Sequence, residues 1–145
     1  MANDHAGVAF KSELQKQLSK TLDNSFAITD LGCSDADGSV DYPVYSKKLS
    51  QFVLKNQGSL GIAICGSGLG VCMACNRFKG IRAALIYDLE SAGLAKKHNN
   101  ANVLCFGARK TNVESAVMFV FEFLKQTFEK GRHEKRIQLL DELND

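Results

Sequence analysis

Apolar side chains recur every four positions at Phe10, Leu14, Leu18 and Leu22. That spacing lays one stripe along a helix and predicts one over residues 8–22. Phe26 to Leu31 reads as a short strand. The stretch Gly32 to Asp41 is polar and turn-rich, with Asp35, Asp37, Gly38 and Ser39. Tyr42-Pro43 ends it, because proline suits the first turn of a helix, whose buried side would be Leu49, Phe52 and Val53. Leu60 to Cys65 is a continuous apolar run of strand length, succeeded at once by Gly66-Ser67-Gly68-Leu69-Gly70 and a helical segment through Asn76. The alternation continues: Arg82 to Ile86 as a strand, Leu89 to His98 as a helix, Val103 to Phe106 as a strand, Val113 to Phe128 as a long amphipathic helix. Thr111 and Glu114 have the spacing of a capping box at the start of that last helix, and Gly131 suits its stop. A final helix is expected from about Glu134 to Leu143.

Strands that alternate with helices and are apolar throughout, rather than every second residue, predict a mainly parallel sheet covered on both faces. The expected fold is α/β: a three-layer, doubly wound sandwich with about five strands. In such sheets ligands bind beyond the carboxyl ends of the strands. Residues 1–145 form one domain in this reading, since 145 residues with 45% hydrophobic content suffice for one core. With 18 basic against 16 acidic side chains, the chain lacks the basic footprint of a nucleic-acid binder. No apolar run approaches the roughly 20 residues that span a bilayer, and no signal-peptide pattern opens the chain. Five cysteines, two of them inside apolar runs, suit free thiols in a reducing compartment, so a cytoplasmic location is expected.

The strand-to-loop junction at Cys65 carries the most chemical information. Glycines there let backbone N–H groups approach an anion, and the next helix points its positive end at the same spot. A dinucleotide fingerprint would need glycine at Val71, and a nucleotide P-loop would need lysine at Ser67. A cysteine phosphatase would need arginine where Val71 stands. A thiol at the mouth of an anion-binding loop remains, and enediol chemistry requires such a group: a base active near neutrality beside donors for a developing oxyanion. A cysteine at a helix N-terminus can serve as that base. The same spacing also fits a small buried strand cysteine before a tight turn, so the residues alone leave both readings open.

Eight stretches run in register over nearly the whole chain: Asp4-His5-Ala6-Gly7, Val40 to Pro43, Ile64 to Gly70, Gly80 to Ala84, Ser91-Ala92, His98 to Leu104, Gly107-Ala108-Arg109 and Gly131-Arg132-His133. Together they resemble the type-B ribose-5-phosphate isomerases and their galactose-6-phosphate isomerase relatives. The resemblance implies an aldose–ketose isomerase that interconverts ribose 5-phosphate and ribulose 5-phosphate through a cis-enediolate, without metal or organic cofactor. It implies that Cys65 is the catalytic base. A second branch uses a glutamate after the last loop glycine, where this chain has Val71. Ser67 and the backbone of Gly66, Gly68 and Gly70 would line the anion hole. His98 would open the furanose ring and Asn99 would hold a sugar hydroxyl. Asp4 and Tyr42 would contact the sugar, and His5 the phosphate or ring. Arg109, Arg132 and Arg136 would clamp the phosphate, a dianion suited to planar bidentate donors. The C-terminal segment carrying the last two would reach a partner subunit's site, which implies a homodimer, with association of two dimers left open.

Taken singly, these residues have plainer readings. His98 suits a helix C-terminus through the dipole alone, and Arg132 and Arg136, four apart, suit a solvated face. Cys72 and Cys75 form a Cys-x-x-Cys with no second ligand pair, so packed thiols are expected there rather than a metal or redox centre. Asp35, Asp37 and Gly38 lack the spacing of a calcium loop. Only Met1-Ala2-Asn3 precedes Asp4, so the first strand is expected to be truncated, leaving Asp4 and His5 poorly anchored. The remaining alternatives are a hexose 6-phosphate isomerase (galactose or allose 6-phosphate), a non-catalytic phosphosugar-binding module, and a thiol redox protein built on Cys72 and Cys75.

Overall fold

Alternate residues of the two longest strands face opposite ways, and both faces are dry. On β2 (Gly61–Cys65) and β4 (Val103–Gly107) every residue is buried. Ile62, Ile64, Leu104 and Phe106 join one apolar cluster, and Ala63, Cys65, Val103 and Cys105 join the other. This is why the strands read as unbroken apolar runs: a sheet covered on both sides leaves no position for a polar side chain. The computed structural model describes residues 1–143.

The regular sheet has four parallel strands in the order β1-β2-β4-β3, with β1 at Ala2–Asn3 and β3 at Ala83–Leu85. The helices α1 (Val8–Thr21), α4 (Leu89–Lys97) and α5 (Val113–Lys125) contribute Phe10, Leu14, Leu18, Ala92, Ala95, Phe119 and Val120 to the first cluster. The helices α2 (Tyr42–Lys55) and α3 (Leu69–Cys75) contribute Leu49, Val53, Val71 and Cys75 to the second. The expected three-layer parallel architecture is therefore present. A last helix, α6, runs Arg132–Glu142. No described helix is long and apolar enough to cross a membrane.

Four details depart from the expectation. Residues 26–31 form no regular strand; the chain runs extended along the outer edge of β1, where Leu31 N–H donates to the Met1 carbonyl (2.8 Å) and Cys33 N–H to that of Asn3 (3.4 Å). A two-residue neighbour offers too few partners for a continuous ladder. The short β1 nevertheless anchors the Asp4 backbone. Asn3 pairs with Ile64, Asp4 N–H continues the ladder to the Ile64 carbonyl (3.1 Å), and the buried Asn3 amide donates to the carbonyls of Asp4 (2.8 Å) and Cys33 (3.3 Å). The α5 cap is Asn112, whose side chain accepts from Ser115 N–H at 2.7 Å, in place of Thr111. Finally, α5 stops at Lys125 because Gln126 turns extended (ψ 156°), and Gly131 (φ +57°) starts α6 rather than ending α5.

Candidate active site

Cys65 is the last residue of β2, in register with Gly107 at the end of β4. Beyond it the loop doubles back through Gly68, whose φ of +81° favours glycine and whose position is pressed against its neighbours. A Cβ there would stand 2.6 Å from Leu85 Cδ1 and 3.0 Å from the β4 backbone. Gly107 makes the reciprocal approach, since a Cβ on it would meet the Ser67 carbonyl carbon at 2.5 Å and oxygen at 2.6 Å. Two backbone bonds clasp the loops: Ala108 N–H to the Cys65 carbonyl (2.8 Å) and Arg109 N–H to that of Gly66 (3.0 Å).

This clasp sets the chemistry. Arg109 lays its guanidinium over Gly66, 2.9 Å from where a Cβ would be, and the Tyr42 ring lies on Gly70, with ring carbons 2.8–3.0 Å from the corresponding point. Asp4 stands at the edge, with one carboxylate oxygen accepting from Ala6 N–H at 3.0 Å. Asp4, Tyr42, Cys65, Gly66, Ser67, Gly70, Arg109 and Lys110 line one cavity of about 440 Å³. Cys65 is only 4% exposed, yet it belongs to the floor of this cavity rather than to a sealed interior. Its sulfur accepts a hydrogen bond from Gly68 N–H at 3.1 Å. Gly68 itself is buried, and its amide donates to the Cys65 sulfur. The α3 helix that follows the loop spans seven residues. Ser67 Oγ accepts from Leu69 N–H (3.3 Å).

The other expected residues lie elsewhere. His5 is exposed beside Val40: its Nδ1 accepts from Val40 N–H (3.2 Å) in the tautomer that leaves Nδ1 bare and donates to the Val40 carbonyl (3.1 Å) in the tautomer that protonates it. His98, Asn99 and Arg136 line a second cavity of about 350 Å³ with His133, Ile137 and Leu140, and the two cavities share no residue. Arg132 is exposed at the start of α6. Three neighbours carry no role in the sequence reading: Lys110 in the first cavity, and Glu129 and His133 around His98. The rings of His98 and His133 stack 4.3 Å apart and 8° from parallel. Burial, then the charges of His98, Arg132 and Arg136, push His133 below the usual imidazole range, against the opposing pull of Glu129. Glu129 and His133 are four apart, a spacing visible in the sequence, but their meeting with His98 depends on the link between α5 and α6.

The cysteine pair Cys72 and Cys75 packs behind the loop against Cys105. Hydrogen bonding with Cys105 lowers the Cys72 thiol to about 7 despite burial, while the same bonds and burial raise Cys105.

Residues 1–140 match the model of the Ribose/Galactose Isomerase family. A probable ribose-5-phosphate isomerase B of Mycoplasma pneumoniae is 45% identical over 137 residues, covering 94% of this chain and 88% of its own. Ribose-5-phosphate isomerase B of Escherichia coli is 35% identical over 137 residues, covering 94% and 89%. Among solved structures, ribose-5-phosphate isomerase B from Mycoplasma genitalium with bound ribulose-5-phosphate superposes with a TM-score of 0.90 at 40% identity, covering 99% of this chain and 93% of that one. The Thermotoga maritima ribose 5-phosphate isomerase gives 0.90 at 42% identity, covering 97% and 94%.

Proposed function

This chain belongs to the ribose/galactose isomerase family, and from that premise we propose that it interconverts ribose 5-phosphate and ribulose 5-phosphate with Cys65 as the base. The single observation that carries the base assignment is the Cys65 sulfur on the floor of the first cavity, holding an amide hydrogen bond and surrounded by Asp4, Tyr42, Ser67 and Arg109. Starting from the aldose, the thiolate removes the C2 proton. The C–H electron pair forms the C1–C2 double bond, and the carbonyl pair moves onto O1. The resulting enediolate is stabilised by donors of the loop lining the cavity, Gly66, Ser67 and Gly70. Passage of the O2 hydroxyl proton to O1 and return of the abstracted proton from the thiol to C1, with O2 becoming the carbonyl, complete the exchange without any redox partner. A positioned base of this kind contributes about 10²–10⁴-fold. Asp4 and Tyr42 would hold sugar hydroxyls, and Arg109 the phosphate.

His98, Asn99 and Arg136 line a different cavity of the same chain, one that shares no residue with the Cys65 cavity. A complete site takes the Cys65 cavity from one copy and the His98 cavity, with Arg132 and Arg136 at the start of α6, from a second. The protein then acts as a homodimer, with α6 reaching the partner's cavity, and we place it in the cytoplasm as an enzyme of sugar-phosphate metabolism. His5 joins the phosphate side only if its ring leaves Val40.

Two experiments test this. A coupled assay with ribose 5-phosphate and with hexose 6-phosphates measures turnover of the intact chain and of Cys65→Ala. The variant should lose turnover while binding substrate normally, and full activity in it refutes the base assignment. Mixing Cys65→Ala with His98→Asn, each inactive alone, should restore about a quarter of wild-type activity, because half of the dimers are mixed and each contains one intact site. A mixture that stays inactive refutes the composite site.

A further inference from the structure

Three groups outside the Cys65 cavity converge: His98 at the carboxyl end of α4, His133 in the first turn of α6, and Glu129 in the link that precedes it. His98 N–H closes the last turn of α4 on Leu94 (2.9 Å), and Glu129 N–H donates to the Lys97 carbonyl (3.0 Å), so a main-chain bond fastens the link beside His98. Lys130 (φ +59°) and Gly131 (φ +57°, ψ −126°) then redirect the chain through two positive-φ residues, and His133 comes against the same spot. The outcome is a face-to-face pair of imidazoles with one carboxylate oxygen 3.6 Å from His98 Nε2 and 3.8 Å from His133 Nε2. His98 is 37% exposed at its side chain and His133 only 9%.

We propose that His133 and Glu129 are positioning residues for His98: the buried imidazole backs its ring, and the carboxylate orients its Nε2 and balances the proton it carries. The assignment of His98 as the ring-opening group is the premise. Two cationic rings in face-to-face contact would repel, so the pair takes up one proton at a time. The groups facing the pair are His98 itself, Arg132, Arg136 and Glu129, and the buried ring has the burial and both arginines against its charged form. The neutral form of His133 is therefore favoured, and its ring serves as a stacking surface, while the exposed ring exchanges protons with the sugar. The same three groups come within 4.8 Å of one another, close enough to suggest a metal site. The near-parallel rings argue otherwise, because their lone pairs run side by side instead of meeting at one point.

The test compares His133→Phe, which keeps a stacking face, His133→Ala, which removes it, and Glu129→Gln, which keeps shape without charge. With ribose 5-phosphate, His133→Ala should lose tenfold or more in kcat with KM changed less than threefold, and His133→Phe should recover most of the loss. Glu129→Gln should move the His98-dependent limb of the pH profile, identified as the limb missing from C1 exchange of ribulose 5-phosphate, to lower pH. Deuterium exchange at C1 of ribulose 5-phosphate, which has no ring to open, should continue in His133→Ala at the wild-type rate. Wild-type kcat in His133→Ala, or an unmoved limb in Glu129→Gln, overturns the positioning role while leaving the isomerase reading intact. Exchange that falls together with turnover shows a general structural defect and overturns it too. Loss of activity on dialysis against a chelator, restored by zinc, would show a metal site in its place. A wild-type chain inactive on ribose 5-phosphate would instead sink the premise.

Discussion

Replacing Gly107 with alanine should disable both halves of the Cys65 cavity at once, and the size of the effect can be worked out from the geometry. The added methyl would lie 2.5 Å from the Ser67 carbonyl carbon and 2.6 Å from its oxygen, about 1 Å inside the roughly 3.5 Å at which carbon atoms rest comfortably. Ordinary crowding is relieved by swinging a side chain, but here the neighbour is backbone. It is tied to the same strand by the Ala108–Cys65 and Arg109–Gly66 bonds of 2.8 and 3.0 Å. Opening the gap by about 1 Å stretches both beyond hydrogen-bonding length, which costs roughly 0.5–1.5 kcal/mol each on top of about 1–3 kcal/mol for overpacking. A net loss of about 3 kcal/mol corresponds, for a domain of this size, to a fall in Tm of about 6–12 °C. The displaced Ser67 loop and Arg109 should also lower kcat/KM by at least 100-fold at temperatures where the variant remains folded. Circular-dichroism melting and the coupled isomerase assay measure the two effects. A Tm within 2 °C of wild type, or unchanged kcat/KM, would refute the reasoning.

Gly70→Ala provides the contrast: the atoms nearest its methyl would be those of the Tyr42 ring at 2.8–3.0 Å, and an exposed ring can retreat, so KM should rise severalfold with Tm nearly unchanged in the same two assays. Asp30 tests the acid side of stability. Burial opposes its charge, but the Lys11 ammonium at 2.7 Å and the Gly32 amide outweigh that and hold its carboxyl below the usual range. Its contribution is therefore present above about pH 4, the unfolded value, and is lost as pH falls through the lower folded value. Asp30→Asn, which strands the buried Lys11 charge, should lose about 1–3 kcal/mol in urea titrations at pH 7, less than a fully buried pair because Asp30 is 42% exposed. It should also flatten the acid limb of a Tm-against-pH series. Cys72, with a thiol lowered to about 7, should be alkylated by iodoacetamide with a midpoint near that pH when substrate covers Cys65. Mass mapping that finds Cys105 modified first would contradict this.

Much of the fold was readable because burial on both faces leaves an unmistakable pattern. Ile62 and Ile64 point one way and Ala63 and Cys65 the other, and all four are buried. The stripe Phe10, Leu14, Leu18 likewise lies inside as its spacing requires. The segment at 26–31 misled because its apolar letters are not buried evenly: Phe26 is half exposed, and a two-residue β1 cannot impose a ladder on it. Helix ends were less legible, since Asn112 competes with Thr111 as a cap and Gly131 suits a helix start as well as a stop. At the site, the glycine loop and Arg109 were visible as letters, but the close approach of Gly107 to Ser67 is a tertiary fact with no local signature. The separation of Cys65 from His98 into two cavities was invisible for the same reason, since it depends on which loops meet at the strand ends. The roles proposed for Glu129 and His133 come from the turn at Lys130 and Gly131, which sequence spacing does not reveal.

The backbone clasp between the Cys65 loop and the strand end carrying Arg109 acts as a fixed ruler. Arg109 rests on Gly66, so the guanidinium is held beside the loop that carries the thiol. Under the proposed two-copy site, an enzyme of this build that moved from a five-carbon to a six-carbon sugar would have to find the extra length across the seam between subunits. Inheritable changes in substrate size should then accumulate around Arg136 and the α5–α6 link, leaving the strand ends that hold the thiol untouched.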